Sequence, residues 1–319
     1  KRQQAARQLN SISGGTKIDD YTVEVTTKYP DPVFPKRLHI MRPHEPKAWA
    51  DLGDKGYARN PIGTGSYRIV KWGNDKIQLT AYENAWRKAK TKKIDILVLP
   101  EIATRVAALN SGQVDIAWSL DTGSIPVVEG AGNKIVLSRR HDTLNLILLH
   151  RNENSPVKDV RVRRALNYAY DKDTFVKEVM GGITKTNGQP IDSSATGYFP
   201  DIKPYPYDPA KAKKLLAEAG YPNGFDMRIE MVNSTGEFGD TFQAMANDFK
   251  KVGVNAELIV LTIPIFVKKI LAIQPWEGDA FTMMYESHPL ADMTRVMNTH
   301  SCNFKPMGKQ NVAQIGRAH

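Results

Sequence analysis

Apolar and polar positions between residues 157 and 173, VKDVRVRRALNYAYDKD, alternate with helical spacing: Val160, Ala165, Leu166 and Ala169 share one face. Asp159 stands where a carboxylate can accept hydrogen bonds from the free N–H groups of a first turn, so the spacing predicts a helix that starts there. Asp171 and Asp173 offer a second cap, Phe175, Val176 and Val179 a second stripe, and Gly181-Gly182 a stop. These two helices follow a strand-like run at 144–149.

The same reading extends along the chain. Period-two alternation predicts a strand at 21–27; strands follow at 67–71 and 76–80, the apolar run 94–99 reads as another, 114–118 returns as a strand, and 135–137 leads toward 144–149. Between them, 101–111 reads as a helix with Ile102, Val106, Ala107 and Leu109 buried and with Thr104 and Arg105 outside the stripe. Strand, helix, strand in this order predicts a parallel pair joined by a crossover. Further on come a helix at 210–219, a strand at 225–232, and a helix at 238–252 with Phe242, Met245, Ala246 and Phe249 inward. A strand at 254–261, a helix at 263–272 with Pro264 in its first turn, and a strand at 281–285 complete the pattern.

Two long stretches resist regular structure. Residues 29–46 carry five prolines, and residues 188–209 are rich in Pro, Gly, Ser and Tyr, so both are expected to be ordered loops. The fold class expected from this alternation is α/β in two lobes.

Composition narrows the function. The 319 residues, 41% of them hydrophobic, suffice for a substantial core and favour two domains. The net charge of +10 comes from 44 basic residues interspersed with 34 acidic ones. The densest basic run, RKAKTKK at 87–93, reads as a solvated turn, and no recognition helix, RNA-binding aromatic pair or zinc finger accompanies it. Nucleic acid is therefore not an expected partner. The single cysteine, Cys302, excludes an internal disulfide framework, and no apolar run approaches the ~20 residues of a membrane-spanning helix. The glycines of NPIGTGSY at 60–67 lack the spacing and lysine of a phosphate loop, and no GxSxG, SxxK or HExxH element is present. His288, His300 and Cys302 could in principle ligate a metal, but their spacing matches no known arrangement, so neither metal nor cofactor is expected.

Six segments, taken in order, carry a resemblance: DYTVEV at 20–25, NPIGTGSY at 60–67, NAW at 84–86, LNSGQVDIAW at 109–118, DVRVRRALNYA at 159–169 and YDPAKAKKLLAEAGY at 207–221. Together the chain resembles the extracellular solute-binding proteins of ABC importers, family 5, which handle peptides, nickel, opines and some oligosaccharides. The resemblance implies two α/β lobes around a ligand cleft, with a hinge near 144–152. It sets residues 1–59 as the remainder of a small N-terminal subdomain, 60–148 as lobe I, 149–302 as lobe II and 303–319 as a tail. It also implies a longer parent chain, with a further N-terminal portion and a returning C-terminal segment. QIGRAH at 314–319 is what one frame of a common sequencing adapter would encode, and it is set aside as non-native.

The implied activity is capture of an oligopeptide or related small polar solute and its delivery to ABC permease subunits, without catalysis. The expected setting is the periplasm or the outer membrane face, as a monomer that meets the membrane only through the permease or an N-terminal lipid anchor. A cleft hydrolase acting on peptides or glycosides is the alternative. In peptide-binding members an aromatic residue after the last lobe II strand is followed by an Asp that pairs with the ligand's amino group. Here Tyr285 matches the aromatic, Glu286 is a candidate substitute for the acid, and His288 stands at the Asp position. A neutral imidazole is a poor partner for a buried ammonium. Where dipeptide binders carry an Arg after the strand matching 225–232, this chain has Asn233, Ser234 and Thr235. Both departures leave peptide and non-peptide ligands open. Trp118, at the end of 114–118, faces either cleft or core.

Overall fold

A computed structural model describes residues 9, 11–32, 34–38, 41, 44–137, 142–150, 154–232, 237–270 and 275–286, with the backbone alone at Arg37, Glu237, Tyr285 and Glu286. The chain divides into two compact units, Lys1–Val136 and Leu137–His319.

In the first unit, β1 (Ile12–Lys17) and β2 (Val23–Thr27) form an antiparallel hairpin, with Lys17 opposite Val23. The proline-rich stretch contains one helical turn, α1 (Phe34–Arg37), and ends at a helix that the apolar pattern did not predict, α2 (Pro46–Arg59). Glu45 caps α2 by accepting from the N–H groups of Lys47 and Ala48, and Pro46 occupies a first-turn position that needs no donor. Gly53, at φ 62°, breaks α2 into two arms. The second arm carries Tyr57, which is 4% exposed, packs edge-on to Trp49 and donates its hydroxyl to the Ile62 carbonyl at 2.6 Å.

Strands β3 (Tyr67–Trp72), β4 (Lys76–Ala81) and β5 (Lys93–Leu97) make an antiparallel sheet in that order. Helices α3 (Ile102–Asn110) and α4 (Ile125–Gly130) follow. The expected strand at 114–118, and with it the parallel pair, is absent: the segment is irregular, and Ile116 and Trp118 are each 82% exposed. Alternation predicts a strand only where one face is covered, and here neither Ile116 nor Trp118 is. Residues 135–137 are likewise irregular. Within α3 the buried residue is Ala108, whereas Ala107 is exposed, a shift of one position from the predicted stripe.

The second unit is built on a four-stranded sheet ordered β6-β9-β7-β8, comprising β6 (Asp142–Leu148), β7 (Phe225–Val232), β8 (Val254–Leu261) and β9 (Ala280–Glu286). β9 runs parallel to β7, β7 parallel to β8, and β6 antiparallel to β9. Helices α5 (Val160–Ala169), α6 (Lys172–Glu178), α7 (Pro209–Glu218), α8 (Glu237–Lys251) and α9 (Ile263–Ile270) complete it. Asp159 and Asp171 cap α5 and α6 as the sequence predicted, accepting from the N–H groups of Arg161 and Thr174.

One sheet face carries Met227, Ile229 and Met231, each at most 4% exposed, against Val162, Ala165, Leu166 and Ala169 of α5 and Phe242, Met245 and Phe249 of α8. Burying one such large side chain contributes roughly 1.5–3 kcal/mol, so this layer is the main source of the unit's stability. Asp208 joins α5 to α7: its N–H donates to the Tyr168 carbonyl and its carboxylate accepts from Lys211 N, both at 2.8 Å. At the start of β7 the chain passes so close to the start of β8 that a Cβ on Gly224 would lie 1.8 Å from the Gly253 carbonyl oxygen.

The opposite face is smaller, with Ile147, Leu149, Ile191 and Phe281 under Trp276, whose ring stacks on Phe281 at 3.9 Å. Here Glu230 projects from β7, 2% exposed, and pairs with Lys269 of α9 at 2.9 Å. Its second oxygen accepts from the N–H groups of Glu277 and Gly278 at 2.5 and 2.7 Å. The pair thereby ties α9 to the segment that leads into β9.

Candidate functional site

Three strands of the second sheet, β7, β8 and β9, run in one direction, so their carboxyl ends, Val232, Leu261 and Glu286, face the same edge. The amino end of β6 meets them there, with Asp142 opposite Glu286 and Thr143 opposite Tyr285. Ligands of open α/β sheets bind outside the carboxyl ends of parallel strands, because helix N-termini and variable loops converge there.

Polar groups are already organised on β6 at this edge. Thr143 is 8% exposed and donates through Oγ1 to the Pro190 carbonyl at 2.9 Å. Asn145 donates through Nδ2 to the carbonyl and Oγ1 of Thr143, at 2.9 and 3.0 Å. Gln189, beside Pro190, clamps the 188–209 stretch by donating to the Phe199 carbonyl at 2.7 Å and accepting from Phe199 N at 3.1 Å. That stretch is thus an ordered loop, as expected, and Thr143 fastens it to the sheet edge. The sequence reading missed Thr143 and Asn145; the available signal was the alternation of Thr143, Asn145 and Ile147, which extends the strand before Leu144.

Of the residues singled out from sequence, Tyr285 and Glu286 stand at the carboxyl end of β9. His288, Asn233 and Ser234 lie outside the described residues, as do His300 and Cys302. Trp118 belongs to the first unit, where it is 82% exposed. Its neighbour Ser119 takes a left-handed backbone, φ 56°, and α3 reaches this segment through Arg105.

The other motifs prove architectural. Ser66 of NPIGTGSY donates to the Arg87 carbonyl at 2.6 Å, and Trp86 of NAW donates through Nε1 to the Thr64 carbonyl at 3.0 Å, so the two segments lock one another. Arg161 donates to Asp159 and to the Glu218 carbonyl, and Arg163 to the carbonyls of Val157 and Lys158. The α5 arginines thus join helix ends. Burial raises the Tyr170 phenol above its ordinary range, aided by Asp248 and Asp171, and lowers the Lys172 ammonium. Lys172 is held among the carbonyls of Asn167, Tyr170 and Tyr205 and serves packing. Among the described residues no group of three or more His, Cys, Asp or Glu side chains is placed to hold a metal, and no helix is long and apolar enough to cross a membrane.

Residues 1–285 match the family described as Bacterial extracellular solute-binding proteins, family 5 Middle. Heme-binding protein A of Haemophilus influenzae is 31% identical over 218 residues, 66% of this chain and 40% of its own length. Glutathione-binding protein GsiB of Pectobacterium atrosepticum is 30% identical over 252 residues, 76% of this chain and 48% of its own. Among solved structures, the periplasmic binding protein DppA from Helicobacter pylori, in complex with the peptide STSA, superposes with a TM-score of 0.77 at 25% identity, over 93% of this chain and 58% of that one. The chain spans about half the length of the curated relatives it matches. With the α/β fold of two-lobed periplasmic binding proteins and a family match over residues 1–285, the chain belongs to the family 5 bacterial extracellular solute-binding proteins.

Proposed function

We propose that this chain is part of a receptor that captures an oligopeptide or related small polar solute and delivers it to an ABC permease, without catalysing a reaction. The carrying observation is the match of residues 1–285 to a family whose similar members are named for heme, glutathione and peptide binding. Those names support stoichiometric binding over the hydrolase alternative. The ligand surface is assigned to the carboxyl edge of the second sheet, with Tyr285, Glu286, Thr143 and Asn145 on it, and with His288, Asn233 and Ser234 following in sequence. Trp118 supplies an exposed aromatic from the first unit. The setting is periplasmic or at the outer membrane face, and the working form is a monomer.

Lobe boundaries form part of the proposal. Sequence reading divides the chain at 148/149 and compactness at 136/137, with β6 between the two, so the crossing is assigned to residues 137–152. A ligand held on one lobe would favour the closed state by adding contacts to the other.

The test is native mass spectrometry and thermal-shift screening of the complete protein against di- to pentapeptides, glutathione, heme and nickel-histidine. A retained mass or a rise in Tm, joined to compaction in small-angle scattering, is the expected result. Turnover of any of these ligands, or binding undiminished in both Tyr285→Ala and Asn145→Ala, overturns it.

A further inference from the structure

The loop between β4 and β5, residues 82–92, is not used by the site above. It carries Trp86, which is 78% exposed although tryptophan is usually mostly buried. The indole is held there: Nε1 donates to the Thr64 carbonyl at 3.0 Å, neighbouring Ala85 is 5% exposed, and Ser66 Oγ grips the Arg87 carbonyl at 2.6 Å. The ring therefore faces outward on a braced turn with its one donor satisfied. Arg87 lies over it, 5.1 Å from the ring centroid.

Around this ring the sequence places Lys88, Lys90, Lys92 and Lys93, all exposed, against a single acid, Glu83. Five cations less one anion leave +4 on residues 83–93. Among the described residues none of Arg87, Lys88, Lys90, Lys92 and Lys93 forms an ion pair; Lys88 spends one donor on the Glu83 carbonyl. Charges of one sign crowded on a short turn repel one another, and Asp95 acts electrostatically on Lys93 at its end.

We propose that this turn is a docking surface for an anionic lipid bilayer. An amphipathic indole with its N–H satisfied suits the headgroup level, and flexible lysines around it reach phosphates while their stems lie along apolar surface. Each cation near such a surface adds to the attraction, and the attraction is screened by salt. A lone exposed indole lacks the stacked series that single-stranded nucleic acid needs, and the family is extracellular. The patch would hold the receptor at the membrane face where a permease works, independently of which solute it carries.

The test is co-sedimentation of the whole chain with vesicles of phosphatidylcholine, with and without phosphatidylglycerol. Binding is expected only to the anionic vesicles, with loss in raised salt. Changing Lys88, Lys90 and Lys92 together to Gln should weaken it about tenfold or more. The same charge change at Lys213, Lys214 and Lys250, exposed on α7 and α8, should leave it within about twofold. Trp86→Phe, checked by circular dichroism for an intact fold, should weaken binding without changing its salt dependence. Equal binding to both vesicle types, no binding, equal losses from the two triple variants, or equal retention on polyglutamate beads would each overturn the proposal, the last in favour of an acidic protein partner.

Discussion

Arg105 donates through Nη2 to the carbonyl of Ser119 at 3.0 Å, and through Nη1 to the carbonyls of Leu99 and Pro100 at 2.6 Å each. One guanidinium on α3 thus fastens the exit of β5 to the segment that carries Trp118, next to a residue held at φ 56°. The planar fork can serve three acceptors at once; an ammonium lacks that geometry. Arg105→Ala is expected to cost the first unit about 1–3 kcal/mol, and Arg105→Lys to recover only part. Amide hydrogen exchange should show faster exchange across 114–121 in both; unchanged protection there would refute the role.

Glu230 and Lys269 are a buried ion pair, with side chains 3% and 5% exposed. Lys269 also donates to the Pro275 carbonyl at 2.8 Å. Removing one member strands the other charge, so Lys269→Met should destabilise the second unit by about 3–5 kcal/mol. Adding Glu230→Gln to it should regain part of the loss, because a neutral amide oxygen still accepts from the N–H groups of Glu277 and Gly278. Urea denaturation of the single and double variants measures the coupling, and additive losses would contradict it.

Gly224 sits at φ 79° with the Gly253 carbonyl in the space a Cβ would occupy. Gly224→Ala combines a left-handed backbone with a clash against backbone, and a loss of at least about 2 kcal/mol is expected. Gly112, at φ 74° with open space around it, is the comparison: Gly112→Ala should cost only about 1 kcal/mol from the backbone conformation. A similar Tm drop in both would disprove the packing argument.

Hydrogen bonding from the Arg161 side chain, with further help from the Arg161 N–H, holds the Asp159 carboxyl below its ordinary range. A carboxylate lowered in the folded state stabilises it fully above the unfolded pKa of about 4, and that stability is lost as pH falls through the folded value. Asp159→Asn is therefore expected to lower stability at neutral pH by about 1 kcal/mol or less, since Asn still caps a helix, and to flatten the acid limb below about pH 4. Denaturation midpoints across that range check it; parallel acid limbs in both proteins would exclude the linkage.

Much of the second unit was legible because its signals are local. Asp159 and Asp171 cap where their spacing says, β7 and β8 begin and end at the predicted residues, and Phe242, Met245, Ala246 and Phe249 all turn inward. In the first unit the same rules misread 114–118, since alternation reports burial only when a covering layer exists. They also passed over α2, whose polar surface and Gly53 break hide its helical period.

The sequence alone determined the class of fold, the helix caps, the family and the absence of known catalytic motifs, because each depends on residue identity at short range or on the order of motifs. Tertiary structure decided which motifs brace the scaffold and which groups meet at an edge. Thr143 and Tyr285 are far apart in the chain and become neighbours only through the antiparallel register of β6 and β9. Arg105 and Trp86 read as an outward charge and a motif residue until the backbone carbonyls that hold them are brought near. Such pairings depend on long-range register and on carbonyl directions, neither of which side-chain periodicity encodes.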